Sequence, residues 1–138
     1  MSWVVDASVA VKWVVPETLS AEADRLLGSE QPLLAPDLLL IEAANVLWKK
    51  IHRKELSAAE AGRALDVLSV SGVLLCPTQP LLGRALVMAQ RLQHPVYDCV
   101  YLALSEREQA TLVTADERLL AQVGRRRMKA RVVGLRSF

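Results

Sequence analysis

Cysteine is scarce in this sequence. The 138 residues include two, Cys76 and Cys99, both in apolar surroundings and neither with a CxxC partner or a paired His nearby. That argues against a disulfide or zinc framework and fits a reducing cytoplasm. Aromatic residues are few as well, with three Trp, two Tyr and one Phe. A platform that stacks successive bases of a single strand is therefore not expected. No sign of charge dominates: 17 Lys and Arg stand against 15 Asp and Glu, a net charge of +2. This excludes a strongly basic coat protein but leaves room for a local basic patch. Long apolar runs are also missing. The longest stretch without a charge, Val67 to Gly83, contains two prolines, two glycines and several polar residues, so it does not read as a membrane span. Asp6 and Lys12 interrupt the start too early for a signal peptide, so no targeting segment and a cytoplasmic location are expected. There is no internal repeat and no low-complexity tract.

What is present describes a folded protein. Hydrophobic residues make up 52% and charged residues 23%, too apolar for disorder. A chain of this length buries about two-thirds of its unfolded surface without staples. Trp3-Val4-Val5 reads as a short buried strand, followed by a turn and short helix over residues 7–13. Leu19 to Gly28 reads as an amphipathic helix with Ala23, Leu26 and Leu27 inward. Leu33–Pro36 is a strand, and Asp37 is placed to cap a helix reaching about His52. Ser57 and Glu60 have capping-box spacing at the start of a helix to about Val70, with Gly72 beyond it. Val73–Pro77 reads as a buried strand, Pro80–Gln93 as a helix and Tyr97–Gln109 as another. Thr111–Thr114 is a further buried strand, Glu117–Val123 a short helix and Ala130–Leu135 a last strand. Short apolar strands alternating with helices predict an α/β fold, a three-layer α/β/α sandwich with a mostly parallel central sheet. No linker divides residues 1–138, so a single domain is expected.

In such a sheet, ligands bind beyond the carboxyl ends of the strands. Asp6 directly follows the first strand, and Asp116 follows the Thr111 strand closely. Two more acids lie where acids are unexpected. Glu42 interrupts the almost wholly apolar run Leu38–Leu47, with Asn45 one turn on along the same face. Asp98 sits in the run Pro95–Leu104, near the start of an apolar helix. Each has a plain structural reading: a turn for Asp6, a favourable helix N-terminus for Asp98, an N-cap for Asp116. Glu42 has neither cap nor solvated face to explain it. Unpaired carboxylates in apolar surroundings are costly, so four in one small domain imply something positive that gathers them. Asp66, by contrast, reads as the exposed edge of an amphipathic helix.

Carboxylates without Cys or paired His specify hard-cation chemistry. Mg²⁺ or Mn²⁺ prefers oxygen ligands, keeps waters and suits phosphate substrates. His52, in a charged helix end, and His94, in a loop before Pro95, are poor candidates for zinc ligands or a general base.

With these residues in view, the sequence resembles the PIN-domain family, and within it the VapC-type toxins of bacterial toxin–antitoxin modules. The resemblance spans nearly the whole chain. It is carried by Val5-Asp6-Ala7-Ser8, by Glu42-Ala43-Ala44-Asn45-Val46-Leu47, by Tyr97-Asp98-Cys99-Val100-Tyr101-Leu102-Ala103-Leu104 and by Leu112-Val113-Thr114-Ala115-Asp116-Glu117-Arg118-Leu119. It implies an Mg²⁺- or Mn²⁺-dependent endoribonuclease with Asp6, Glu42, Asp98 and Asp116 as the acidic metal site, supported by Ser8, Asn45 and Thr114. Asp6 and Asp98 are expected as the principal ligands. Hydrolysis by metal-activated water would leave 5′-phosphate and 3′-hydroxyl ends. The resemblance also implies a homodimer, an RNA substrate and a small cognate antitoxin whose tail occupies the toxin's groove.

Two basic stretches remain. Residues 124–131 include Arg125, Arg126 and Arg127, which read as a solvated turn or as contacts to the RNA backbone; residues 49–54 are similar. Trp13, Leu40 and Trp48 are expected in the core. Competing functions fit less well. A receiver-type phospho-acceptor needs paired acids after the first strand and a late Lys, where Asp6 stands alone and Thr114-Ala115-Asp116 occurs. A haloacid dehalogenase-type phosphatase needs a second Asp where Ser8 stands. A catalytically silent RNA- or partner-binding module remains as the alternative.

Overall fold

A computed structural model describes residues 1–138. Five strands form one sheet: β1 (Trp3–Val5), β2 (Leu33–Pro36), β3 (Leu74–Cys76), β4 (Thr111–Thr114) and β5 (Arg131–Gly134), in the spatial order β3-β2-β1-β4-β5. Every pairing is parallel. Seven helices accompany them: α1 (Ala7–Ala10), α2 (Ser20–Leu27), α3 (Leu38–His52), α4 (Ala58–Ser69), α5 (Leu82–Leu92), α6 (Val96–Glu108) and α7 (Glu117–Gly124). The architecture is the α/β/α sandwich that the alternation of strands and helices predicts.

The chain moves outward from β1 to β2 and β3, then returns past β1 to add β4 and β5. Crossovers between parallel strands are as a rule right-handed, and two excursions in opposite directions then carry their helices to opposite faces of the sheet. The reversal puts a topological switch point between β1 and β4, where a parallel sheet opens a crevice at its carboxyl edge.

The centre of the sheet is wholly apolar. Val4, Val5, Leu112 and Val113 have no exposed surface, and each such side chain contributes about 1.5–3 kcal/mol by burial. α6 lies against β1, β2 and β4 and is backed by α5. Its residues Cys99 to Ser105 are all buried, which is why its sequence shows no polar stripe. Arg84 near the start of α5 grips Glu106 near the end of α6 through Nε (3.1 Å) and Nη2 (3.0 Å). The two helices thus run antiparallel, and the start of α6 lies beside the end of α5.

Several local expectations hold. The Ser57–Glu60 capping box is formed in both directions. Gly72 adopts φ +91, a conformation that carries a steric cost for residues with a Cβ. Others are corrected. β3 is not a buried strand: Leu74 is 59% exposed and Leu75 42%, because the strand closes the sheet edge with a single neighbour. An apolar run signals a strand but not its place in the sheet. Asp37 does not cap α3. Its Oδ1 instead accepts from Thr78 N (3.1 Å) and Oγ1 (2.5 Å), while Thr78 Oγ1 accepts from Leu38 N (3.3 Å). Leu27 faces outward at the end of α2, and Trp48 is 58% exposed rather than core, stacked on His52 one turn later. Trp13 and Leu40 are half-buried against the core.

Candidate active site

β1 ends at Val5, and Asp6 is the first residue past it. The β1–β4 register pairs Val5 with Val113, so Asp6 and Thr114 leave the sheet side by side. Asp6 is buried and caps α1, with Oδ1 accepting from Val9 N (3.2 Å). Two hydroxyls complete its surroundings. Ser8 Oγ donates to Oδ1 (2.5 Å) and accepts from Ala115 N (3.0 Å). Thr114 Oγ1 donates to Oδ2 and accepts from Asp116 N (3.0 Å). Each backbone amide fixes a hydroxyl so that its proton faces the carboxylate. Burial nevertheless pushes Asp6 up from 3.8 to about 6. The hydrogen bonds oppose that rise, and the charge of Asp98 adds to it.

The other acids arrive from three helices. Glu42 is on the second turn of α3, half-buried, and is raised above the usual carboxylate range by burial and then by the charge of Asp98, against the pull of the Tyr101 hydroxyl. That hydroxyl is fully buried and closes no hydrogen bond of ordinary geometry, although Glu42 is near enough to act on it. Burial, followed by Glu42, Asp6 and Asp98, holds Tyr101 firmly protonated. Asp98 lies in the first turn of α6, and its Oδ2 bonds His94 Nε2. Asp116 caps α7, with Oδ1 accepting from Arg118 N (2.9 Å) and Leu119 N (3.2 Å). The turn reading of Asp6, whose side chain also caps α1, and the capping reading of Asp116 both hold, and they coexist with a place in the pocket.

One open pocket of about 550 Å³ is lined by Asp6, Ser8, Glu42, Asn45, Asp98 and Asp116 together. All four acids singled out in the sequence therefore meet at the switch point, although only Asp6 is deeply buried. Asn45 stands exposed on the rim, and Thr114 is buried behind Asp6. Arg125, Arg126 and Arg127 are exposed after α7 and do not line the pocket. Sequence reasoning missed Tyr97 and Ile41, which also line it, and named Lys49 only as part of the basic stretch 49–54. Lys49 was legible as the residue seven after Glu42, two helical turns along the same face.

The donor chemistry suits a hard divalent ion. No Lys or Arg forms an ion pair with any of the four acids, and His94 is the one basic side chain that reaches any of them, at Asp98. No three of the carboxylates stand close enough to close on one ion as they are placed. An Mg²⁺ ion held here would take one or two carboxylates directly and fill its octahedron with waters and phosphate oxygens.

The profile of the PIN domain family matches residues 3–126. The chain belongs to the PIN domain family. Among PIN relatives, "Ribonuclease VapC3" of Pyrobaculum aerophilum is 35% identical over 121 residues, covering 86% of this chain and 92% of that protein. The crystal structure of PAE2754 from Pyrobaculum aerophilum superposes with a TM-score of 0.73 at 27% identity, over 99% of this chain and 85% of that one. VapBC2 from Rickettsia felis, solved bound to a DNA fragment from its promoter, has a chain matching with a TM-score of 0.65 at 13% identity, over 97% and 98% of the two chains. PIN membership displaces the receiver-type and phosphatase readings. No helix is long and apolar enough to cross a membrane.

Proposed function

We propose that this chain is an Mg²⁺- or Mn²⁺-dependent endoribonuclease and the toxin of a type II toxin–antitoxin module, with residues 1–138 forming a single nuclease domain. The observation that carries the reading is the meeting of Asp6, Glu42, Asp98 and Asp116, from four separate elements, in one pocket at the switch point. The ribonuclease name of a relative matched over most of both chains supports the substrate class.

Asp6 and Asp98 are the principal ligands in this reading, with Glu42 and Asp116 completing the acidic lining directly or through water. A bound divalent ion supplies an activated water and neutralises charge on the phosphodiester. The chain's own residues prepare that chemistry. Ser8 and Thr114 lock the Asp6 carboxylate in place from both sides. Lys49 on the rim offers a positive charge to an incoming phosphate. Hydrolysis in this manner leaves 5′-phosphate and 3′-hydroxyl ends and does not use the 2′-hydroxyl, so discrimination for RNA comes from shape and groove contacts.

A cognate antitoxin, a homodimeric assembly and a cytoplasmic setting complete the proposal. The antitoxin is part of the reading through the resemblance to VapC-type toxins and the relatives that carry the VapC name. The test is end-mapping of total RNA after incubation with wild type or Asp6→Asn, with Mg²⁺ or with chelator. Cleavage confined to wild type in metal, with 5′-phosphate ends, is the expected result. Cleavage that survives chelation would overturn it. A second test is growth: expression alone arrests bacterial growth, and co-expression of the small protein encoded beside it relieves the arrest.

A further inference from the structure

His94 reads in the sequence as a poor ligand or general base, and the structure keeps it out of both roles, since it does not line the pocket. It stands behind a residue that does. The turn between α5 and α6 fixes the ring. Gln93 ends α5 in the left-handed region at φ 52, His94 N donates to Ala89 O (3.2 Å), and Pro95 follows at φ −54. Asp98 comes four residues after His94, in the first turn of α6, where Nε2 reaches Asp98 Oδ2. An ionised carboxylate only accepts, so Nε2 carries the proton. Oδ2 is thereby engaged, and Oδ1 is left without a protein partner.

The rest of the ring argues that this bond is its purpose. The His94 side chain is only 2% exposed, and Nδ1 is buried with no hydrogen-bond partner. An orphaned buried nitrogen is a liability that Phe or Leu would not carry. A ring selected for filling space would avoid it.

We propose that His94 is a positioning residue for the metal site: its Nε2–H holds one oxygen of Asp98 and fixes the rotamer in which the other is free for a divalent ion. The inference rests on the reading of Asp98 as a ligand. A donor behind a ligating carboxylate orients it, and loss of such partners commonly weakens metal affinity 10–100-fold.

The test is Mn²⁺ binding to the intact chain, followed by the electron paramagnetic resonance of free Mn²⁺ and independent of cleavage. Five proteins are compared: wild type, Asp98→Asn, His94→Phe, His94→Gln and the double variant His94→Phe/Asp98→Asn. Folding of each is checked by circular dichroism in chelator, with His94→Asn, whose shorter amide falls short of Asp98, replacing His94→Phe should the larger ring disturb the fold. His94→Phe is expected to weaken Mn²⁺ binding roughly 10–100-fold. His94→Gln, which keeps a donor at the Nε2 position, is expected to recover most of the loss. In the Asp98→Asn background, His94→Phe should cost nothing further. Undiminished binding by His94→Phe overturns the proposal while leaving Asp98 as a ligand. Equal losses in the Phe and Gln variants overturn it in favour of a purely structural ring. Undiminished binding by Asp98→Asn overturns the ligand reading itself, and the proposal with it.

Discussion

Thr114 gives its hydroxyl proton to Asp6 Oδ2 while taking one from the amide of Asp116. One side chain thus connects the two acids that leave adjacent parallel strands. Ser8 repeats the arrangement on the other oxygen, between Asp6 Oδ1 and the Ala115 amide. A threonine hydroxyl rotates freely on its own; here the amide occupies its acceptor side and leaves the proton one direction to point. The backbone after β4 therefore orients the carboxylate after β1, and the β1–β4 register is part of the site.

Removing that hydroxyl tests the arrangement. Thr114→Val keeps the shape but takes away a donor to a buried carboxylate, a bond to a charged group worth about 1.5–3 kcal/mol. The Thr114 bond lowers the Asp6 pKa, so its loss raises the folded-state value further. The penalty should therefore be larger at pH 7 than at pH 4.5, where Asp6 is protonated, and it reaches its full size only above the variant's raised value. Thr114→Ser should behave like wild type. Urea melts at pH 7 and pH 4.5 provide the measurement. An equal penalty at both pH values would mean that the variant had disturbed packing alone.

The acids themselves divide by role. Asp6→Asn, Glu42→Gln and Asp98→Asn should each reduce metal-dependent RNA cleavage by roughly 100-fold or more, since changes to the outer partners of a metal site already cost 10–100-fold. Their circular dichroism spectra should stay those of a folded protein. If two of the three retained near-wild-type cleavage, the pocket would not be the catalytic centre.

Much of this site was legible in the sequence because each acid contradicts its surroundings. Glu42 interrupts an apolar helix face, and Asp6 ends a buried strand. Alternation of strands and helices was enough for the sandwich. Exposure was harder to read. Leu74 and Leu75 look like core residues, yet they face out because β3 closes the sheet edge, and strand order is a property of the assembled chain. Trp48 looks like core for the same reason that any Trp does. Asp37 has the residue type and position of a cap but is drawn to Thr78, forty-one residues away. His94 was legible as a potential neighbour of Asp98 through its i, i+4 spacing; that its ring is buried depends on how α5 packs against α6.

Arg125, Arg126 and Arg127 are exposed and lie outside the pocket. If they touch the backbone of a bound strand, changing all three to Gln should weaken RNA binding and flatten its salt dependence, by roughly 0.7 log–log units for each phosphate that is no longer neutralised. Binding to a catalytically inactive Asp6→Asn background, titrated between low and moderate salt, gives the slope. An unchanged slope identifies a solvated turn with no part in binding.

The buried carboxylate of Asp6 links metal, proton and stability. It titrates near 3.8 when unfolded and at about 6 in the folded protein. Between those values the folded state binds more protons. Without metal, stability should therefore fall as pH rises through this window, by up to about 3 kcal/mol. Asp6→Asn should lack that fall and should match or exceed the wild type at pH 7 in chelator. Metal should reverse the order. At ten times its dissociation constant, Mg²⁺ stabilises the wild type by about 1.4 kcal/mol, a rise of roughly 3–6 °C in melting temperature for a protein of this size. The gain should fade below pH 6, where protons compete for Asp6, and should be nearly absent in Asp6→Asn. Thermal melts of both proteins from pH 4.5 to 7.5, with chelator or with Mg²⁺ or Mn²⁺, measure all of this. Equal metal-induced shifts in the two proteins would remove Asp6 from the ligand set. A mutant far less stable than wild type in chelator at pH 7 would mean that the hydrogen bonds the carboxylate accepts, above all from Thr114 on the oxygen that Asn replaces by a donor, outweigh the cost of the buried charge.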